Sequence, residues 1–257
     1  MANCKILLYD IETSLQPVAV FQLQNNDFIK PESILAERHL VSVCWKWLGE
    51  HKVHSVSLLD NPKRFSKDPH DDQYVAEVFH KVMEEADVMI GHNSDSFDRR
   101  YLETRMLVHG LSPLPPTISL DTYKIAKTRF LLNSNSLNYI GKLLGLGEKK
   151  QTPKGLWLDV LRGDKKAIET MVEYNKRDVT LLEAVFNKLA PYMPNHFSRE
   201  LFGSTGCPRC GSHKIQSRGT HKAITKVYQR FQCQNPKCMG WFRLLKGESG
   251  TTKFRVL

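Results

Sequence analysis

From Lys5 to Tyr9 the chain is almost uninterruptedly apolar, and the run ends on Asp10. A short apolar stretch of this kind predicts a buried central strand. Side chains two apart on a strand share a face, so Asp10 and Glu12 point to one side. After a loop of mixed character, Leu40 to Trp47 and Lys52 to Leu58 have strand composition and meet around Gly49-Glu50. That arrangement predicts a hairpin beside the first strand, and hence an antiparallel three-strand meander.

The period then changes. Between Asp72 and Ala86, Val75, Val78, Phe79, Val82 and Met83 form one helical stripe. A short strand, Val88-Met-Ile90, follows, and Gly91-His-Asn turns it into a helix from about Ser96 to His109, so that Asp98 falls in the helix's first turn. Thr117 to Leu120 reads as another strand and Ser136 to Leu144 as a helix capped by Ser or Asn. Asp164 to Glu173 and Asn175 to Leu189 form a nearly continuous helical region in which Tyr174 and Asp178, four apart, share a face. Pro191, Pro194 and Gly203 to Gly206 interrupt the pattern. Two domains are expected, residues 1–202 and 203–257.

Charge separates the same two parts. From residue 203 onward there are 11 Lys and Arg against one acid, Glu248, while the 26 basic and 26 acidic residues before it cancel. A compact basic module beside a neutral body is the electrostatic footprint of a nucleic-acid binder. Apolar stretches are strand-sized and far short of a membrane span, and Met-Ala-Asn-Cys-Lys has no signal-peptide anatomy, so a cytoplasmic protein without membrane association is expected.

Four of the six cysteines lie in the basic segment. Cys207 and Cys210 form one pair and Cys233 and Cys238 another, a spacing suited to one tetrahedral, structural Zn²⁺. The second pair has four intervening residues where two are usual, which leaves His213 and His221 as alternative ligands. Between the pairs, Ile224 to Phe231 has strand character, with Lys226, Tyr228 and Arg230 alternating onto one face. Cations interleaved with an aromatic ring suit contact with a single nucleic-acid strand.

In the larger part, three acidic fragments occur in order: Asp10-Ile-Glu12-Thr13, Asn93-Ser-Asp-Ser-Phe97-Asp98 and Tyr174-Asn-Lys-Arg-Asp178. Four carboxylates converging on one point repel one another unless a divalent cation neutralises them, which predicts a metal-dependent phosphoryl-transfer site. Asp121, after a strand-like run, reads as a helix cap.

These three fragments resemble the exonuclease motifs of the DEDD superfamily of 3′–5′ exonucleases, in the tyrosine-bearing branch. With Trp45-Lys-Trp-Leu-Gly49, the chain is similar to the stand-alone DnaQ-like exonucleases of tailed bacteriophages over roughly residues 5 to 190. The resemblance implies a ribonuclease-H-like α/β fold, a mixed five-stranded sheet with flanking helices. It implies metal ligands at Asp10, Glu12, Asp98 and Asp178 for two Mg²⁺ or Mn²⁺ ions, with Tyr174 orienting the attacking water. Thr13 is a candidate contact for the terminal nucleotide and Asn93 for the substrate backbone. The C-terminal module resembles a zinc ribbon, a small β-rich unit found in transposase-associated and other nucleic-acid proteins. DNA, ahead of RNA, is the expected partner. A polymerase or other replication protein is a further one, and phage origin would place the protein in host cytoplasm. The alternatives are a structure-specific endonuclease or recombinase on the same fold, and a non-catalytic replication adaptor.

Overall fold

Strands β1 (Ile6–Thr13), β2 (Leu40–Trp47) and β3 (His54–Ser57) form the expected antiparallel meander. On the other side of β1, β4 (Val88–Gly91) and β5 (Ile118–Asp121) continue in parallel, giving a mixed five-stranded sheet in the order β3-β2-β1-β4-β5. The structure, a computed structural model, describes residues 5–20, 29–147, 153–193, 206–222, 227–245 and 255–256. Leu7 and Leu8 on adjacent positions of β1 are both fully buried, which is why this strand reads as a continuous apolar run instead of an alternation. In register, Asp10 faces Cys44 and Glu12 faces Ser42, and the pairing shifts between Glu12 and Thr13.

Seven α-helices are described: α1 (Pro62–Lys67), α2 (Gln73–Glu84), α3 (Asp98–Val108), α4 (Thr122–Arg129), α5 (Leu137–Leu143), α6 (Leu156–Leu161) and α7 (Lys165–Leu189). Helix α2 buries Val75, Phe79 and Met83 of its predicted stripe, and the Phe79 ring lies 5.8 Å from Tyr9 and 5.5 Å from Trp45. Ser136 caps α5 by accepting from the Tyr139 N–H at 3.3 Å. The pattern does not predict α1, α4 or α6. Two of these have six residues each, too few to show a period, and α4 buries only Thr122 and Ala126.

The chain divides into two compact units. One joins Lys5–Asp121 to Ser136–Glu183 and holds the five-stranded sheet; the other includes Thr122–Asn135 and Ala184–Leu257. In the second unit, β6 (Ile215–Lys222), β7 (Val227–Cys233), β8 (Trp241–Leu245) and β9 (Arg255–Val256) form an antiparallel sheet in that order. Its core is Cys207, Cys233, Cys238 and Phe242, with Phe231 stacked on Phe242 at 5.5 Å. The buried Arg209 side chain donates to the carbonyls of Ala190 at 3.2 Å and Met193 at 3.5 Å, covering backbone acceptors just past α7. Gly240 makes room for it, since a Cβ there would come within 2.5 Å of Arg209 Cδ.

The first unit carries a buried charge network. Asp72 accepts from the Leu40 N–H at 2.7 Å and from Arg105 Nε and Nη2 at 2.8 and 2.7 Å, and it lies 2.7 Å from His109 Nε2. The bidentate pair satisfies a carboxylate that has no solvent access, tying the start of β2 to α2 and α3. Beside it, the buried His39 stacks on His70 at 4.9 Å. Burial, followed by the neighbouring His70, pushes the His39 pKa down from 6.5 to about 4. The unfolded chain then takes up a proton at His39 below pH 6.5 while the folded chain resists it. The stability conferred by keeping this ring neutral is therefore present above pH 6.5 and lost as pH falls towards about 4, at no more than about 1.4 kcal/mol per pH unit. Denaturant melts of wild type and His39→Gln between pH 7 and 5 check this: the variant should show the shallower loss, and superimposable slopes would contradict it.

Candidate active site

Two elements bring the acids together. Asp10 and Glu12 project from one face of β1, Asp178 comes from α7, and their carboxylate oxygens lie within 4.8 Å of one another. Helix α7 is held against that face at three levels. Cys44 Sγ lies 3.7 Å from the Val172 carbonyl, Asn175 Nδ2 donates to Asp10 Oδ2 at 3.0 Å, and Lys46 Nζ meets Glu183 at 2.5 Å. Lys46 is buried, so its pairing with Glu183 is needed to offset the loss of water around the ammonium. Tyr174, one turn before Asp178, is buried on the same helix.

Asp98 stands outside the 4.8 Å group. It opens α3, is buried, and accepts from the Ile11 N–H at 3.3 Å, which places it on the backbone between Asp10 and Glu12. Burial raises its pKa to about 7, with hydrogen bonds from its own N–H and that of Ile11 opposing the shift and the charge of Asp121 adding to it. Beneath it, the Tyr9 phenol is also pushed up, first by burial and then by the Asp98 charge.

The turn that delivers Asp98 is organised by Asp121. Its carboxylate accepts from the Asn93 N–H at 2.8 Å and the Asp95 N–H at 3.3 Å. Asn93 adopts φ 61°, a left-handed conformation that Asn tolerates, and its carbonyl accepts from Ser96 and Phe97. Gly91 allows the close return of the chain, because a Cβ there would lie 2.3 Å from that of Ser94. Thr13 is half-buried at the shifted end of β1.

Sequence reasoning missed Asn175. Its signal was present, since Asn is a weak helix former and here occupies the middle of a 25-residue helix, between Tyr174 and Asp178. Asp121 directly precedes α4, the position expected of a cap, and its carboxylate also holds the turn at 93–95.

A cluster of three carboxylates with a fourth alongside is a hard oxygen donor set, the kind that Mg²⁺ and Mn²⁺ prefer. Without a cation the three charges would oppose their own approach.

The cysteines form a separate centre. Among the described residues the group consists of Cys207, Cys210, Cys233 and Cys238 with no histidine, all four Sγ atoms lying within 4.8 Å of one another. The Cys207–Cys238 and Cys210–Cys233 separations are 3.9 and 3.6 Å. Four sulfurs at 2.3 Å from a tetrahedral zinc lie roughly 3.8 Å apart, so the set fits that ion. The longer second loop closes by the Cys238 and Met239 N–H groups returning to the Asn235 carbonyl. Cys207 is held low, at about 5, by the Cys238 thiol donating to it, against burial and with help from backbone N–H groups, while that same bond pushes Cys238 up and burial pushes Cys233 up.

The nucleic-acid candidates of this unit are placed differently. Tyr228 is only 7% exposed, with the Arg243 guanidinium 4.3 Å from its ring centroid, and Arg230 is half-buried two residues along β7. Lys226 lies outside the described residues.

Fold and site together define a ribonuclease-H-like α/β protein with an acidic centre on its first strand. The family model described as RNase_H superfamily matches residues 48–190, and the chain belongs to that superfamily. The matched segment contains Asp98, Tyr174 and Asp178, while Asp10 and Glu12 precede it. Among curated proteins, none matches the sequence. The fold is similar to that of the family B DNA polymerase from the hyperthermophilic archaeon Pyrobaculum calidifontis, with a TM-score of 0.54 and 18% identity over 80% of this chain and 26% of that one. The chain thus spans about a quarter of the polymerase's length. Among the described residues, no helix is long and apolar enough to cross a membrane.

Proposed function

We propose that the protein is a metal-dependent 3′–5′ exonuclease that hydrolyses the phosphodiester bonds of DNA, of the DEDD tyrosine-branch type found in tailed bacteriophages. The observation that carries this reading is the approach of Asp10, Glu12 and Asp178 to within 4.8 Å in an RNase_H superfamily chain, with Tyr174 one turn from Asp178. Asp10, Glu12, Asp98 and Asp178 would hold two Mg²⁺ or Mn²⁺ ions. Bound there, the ions supply a nucleophilic hydroxide at neutral pH and positive charge for the leaving oxygen.

The chain's own groups do the rest. The Tyr174 hydroxyl orients the water, and Asn175 fixes the rotamer of Asp10 through its 3.0 Å hydrogen bond. Asp121 keeps the 93–95 turn in place, so that Asn93 meets the substrate backbone while Thr13 contacts the terminal nucleotide. Residues 203–257 form the ribbon, which binds one structural Zn²⁺ and adds affinity for nucleic acid. The setting proposed is cytoplasmic, with any polymerase or replication protein acting as a separate partner.

The deciding experiment is digestion of 5′-labelled linear, 3′-blocked and circular DNA and RNA with Mg²⁺ or Mn²⁺. Progressive shortening from a free 3′ end is expected, with blocked and circular substrates intact. Cleavage of circles would make the enzyme an endonuclease, and no metal-dependent cleavage would leave a binding protein. Tyr174→Phe should lower single-turnover rate by roughly 10²-fold, in the range of one positioned proton-handling group, while calorimetric metal affinity stays near wild type. A large loss of metal binding in that variant would reject the assigned role.

A further inference from the structure

The face of the ribbon sheet turned away from the cysteines combines cations with aromatic rings. Cross-strand register places His221 opposite Tyr228, Arg230 opposite Arg243, and Gln232 opposite Trp241. Arg218 reaches the same face, its Nε donating to Gln232 Oε1 at 3.1 Å. In β9, Arg255 lies in register with Arg243. The opposite face is the one packed by Phe231 and Phe242 over Cys207 and Cys233. Like charges directly opposite on adjacent strands cost stability, and the Nε groups of Arg230 and Arg243 are buried without an acceptor. The segment from residue 203 offers a single acid, Glu248, to balance its 11 cations.

We infer that this face is a binding site for single-stranded DNA. Neighbouring strands are about 4.8 Å apart, so Arg230 and Arg243 form a short transverse row over which a phosphodiester backbone can lie. Trp241 at the sheet surface is 39% exposed and offers a ring to an unpaired base. The Arg243 guanidinium lies 4.3 Å from the ring centroid of Tyr228, so the buried tyrosine acts as a backing for the arginine. In a duplex the bases are already stacked on one another, leaving only the phosphates for this surface. That difference selects the single strand. The inference rests on the nuclease reading only for the choice of DNA as ligand.

The test uses the full-length, zinc-loaded protein without added Mg²⁺ or Mn²⁺, and measures fluorescence anisotropy of labelled oligodeoxythymidylate and of a blunt hairpin duplex over a salt series. Trp241→Thr should weaken single-strand binding roughly 5- to 100-fold with an unchanged salt slope. Arg230→Gln/Arg243→Gln should make the slope of log K against log salt shallower by about 1.4, two phosphates' worth. Zinc content confirms that each variant is folded, and Arg243→Lys, which keeps the charge, should retain the slope while losing part of the affinity. If zinc-loaded variants bound the single strand like wild type, or if the duplex bound as tightly and equally depended on Trp241, the inference would be overturned. Parallel digestion with Mg²⁺ separates it from the nuclease reading. Variant-sensitive binding by a protein that degrades nothing supports this site and removes the exonuclease, whereas processive degradation with variant-insensitive binding does the reverse.

Discussion

Asp10→Ala is expected to yield a folded protein whose Mg²⁺-dependent hydrolysis falls by at least about 10²- to 10³-fold, the scale on which one preorganised electrostatic contact acts in catalysis. Asp10 is oriented from both β1 and α7. It sits on the central strand, in register with Cys44, with Asn175 donating to it from α7. Its carboxylate is half-buried within the group that includes Glu12 and Asp178, so its removal takes one anion out of a crowded site and leaves less repulsion among those remaining. The cost is one unanswered amide hydrogen bond at Asn175, about 1–3 kcal/mol, which a domain of this size can absorb. Circular dichroism and thermal melting should therefore stay close to wild type while single-turnover digestion collapses. A folded Asp10→Ala protein retaining substantial Mg²⁺-dependent activity would remove the quartet from the mechanism.

The contrast between Asp10 and Asp98 shows how far the sequence reaches. Both acids are legible from their place on an element: Asp10 ends the apolar run within β1, and Asp98 enters α3 shortly after β4. Period and strand ends locate them. What the sequence does not carry is the aim of each side chain, and Asp98 turns to the Ile11 N–H, 87 residues away, instead of joining the three-carboxylate group. Asn175 and Asp121 were obscure for the same reason, since their partners are 165 and 26–28 residues distant and no local pattern encodes them. Lys46 is instructive too. A lysine in a β2 stretch that otherwise looks apolar suggests exposure, but it is buried and paired with Glu183 across 137 residues. In the ribbon, the alternation correctly puts Tyr228 and Arg230 on one face of β7. Tyr228 is buried, with Arg243 of β8 and His221 of β6 against its ring, and its own pattern does not encode those contacts.

Cys238→Ser should release the zinc and unfold the ribbon while the five-stranded unit remains folded. Cys238 is separated from Cys207 by 3.9 Å and belongs to a core that otherwise contains Cys207, Cys233 and Phe242. Serine replaces a soft thiolate by a poor zinc ligand, and structural zinc in small domains contributes about 10–16 kcal/mol of apparent binding energy to folding. A core of this size cannot replace such a contribution, because units of roughly 50 residues seldom fold without a metal or disulfide staple. The expected result is one zinc per chain in wild type and far less than one in the variant, with hydrogen-exchange protection lost across β6, β7 and β8 and kept in β1, β2 and β4. Single-strand affinity should fall with it, since the arginine row exists only while the strands are paired. Histidine variants separate the ligand sets. His221 pairs with Tyr228 on the face opposite the cysteines, and neither it nor His213 belongs to the sulfur group, so His213→Gln and His221→Gln should leave zinc content unchanged. Full zinc occupancy in Cys238→Ser, or its loss in either histidine variant, would replace the four-thiolate centre with a mixed one.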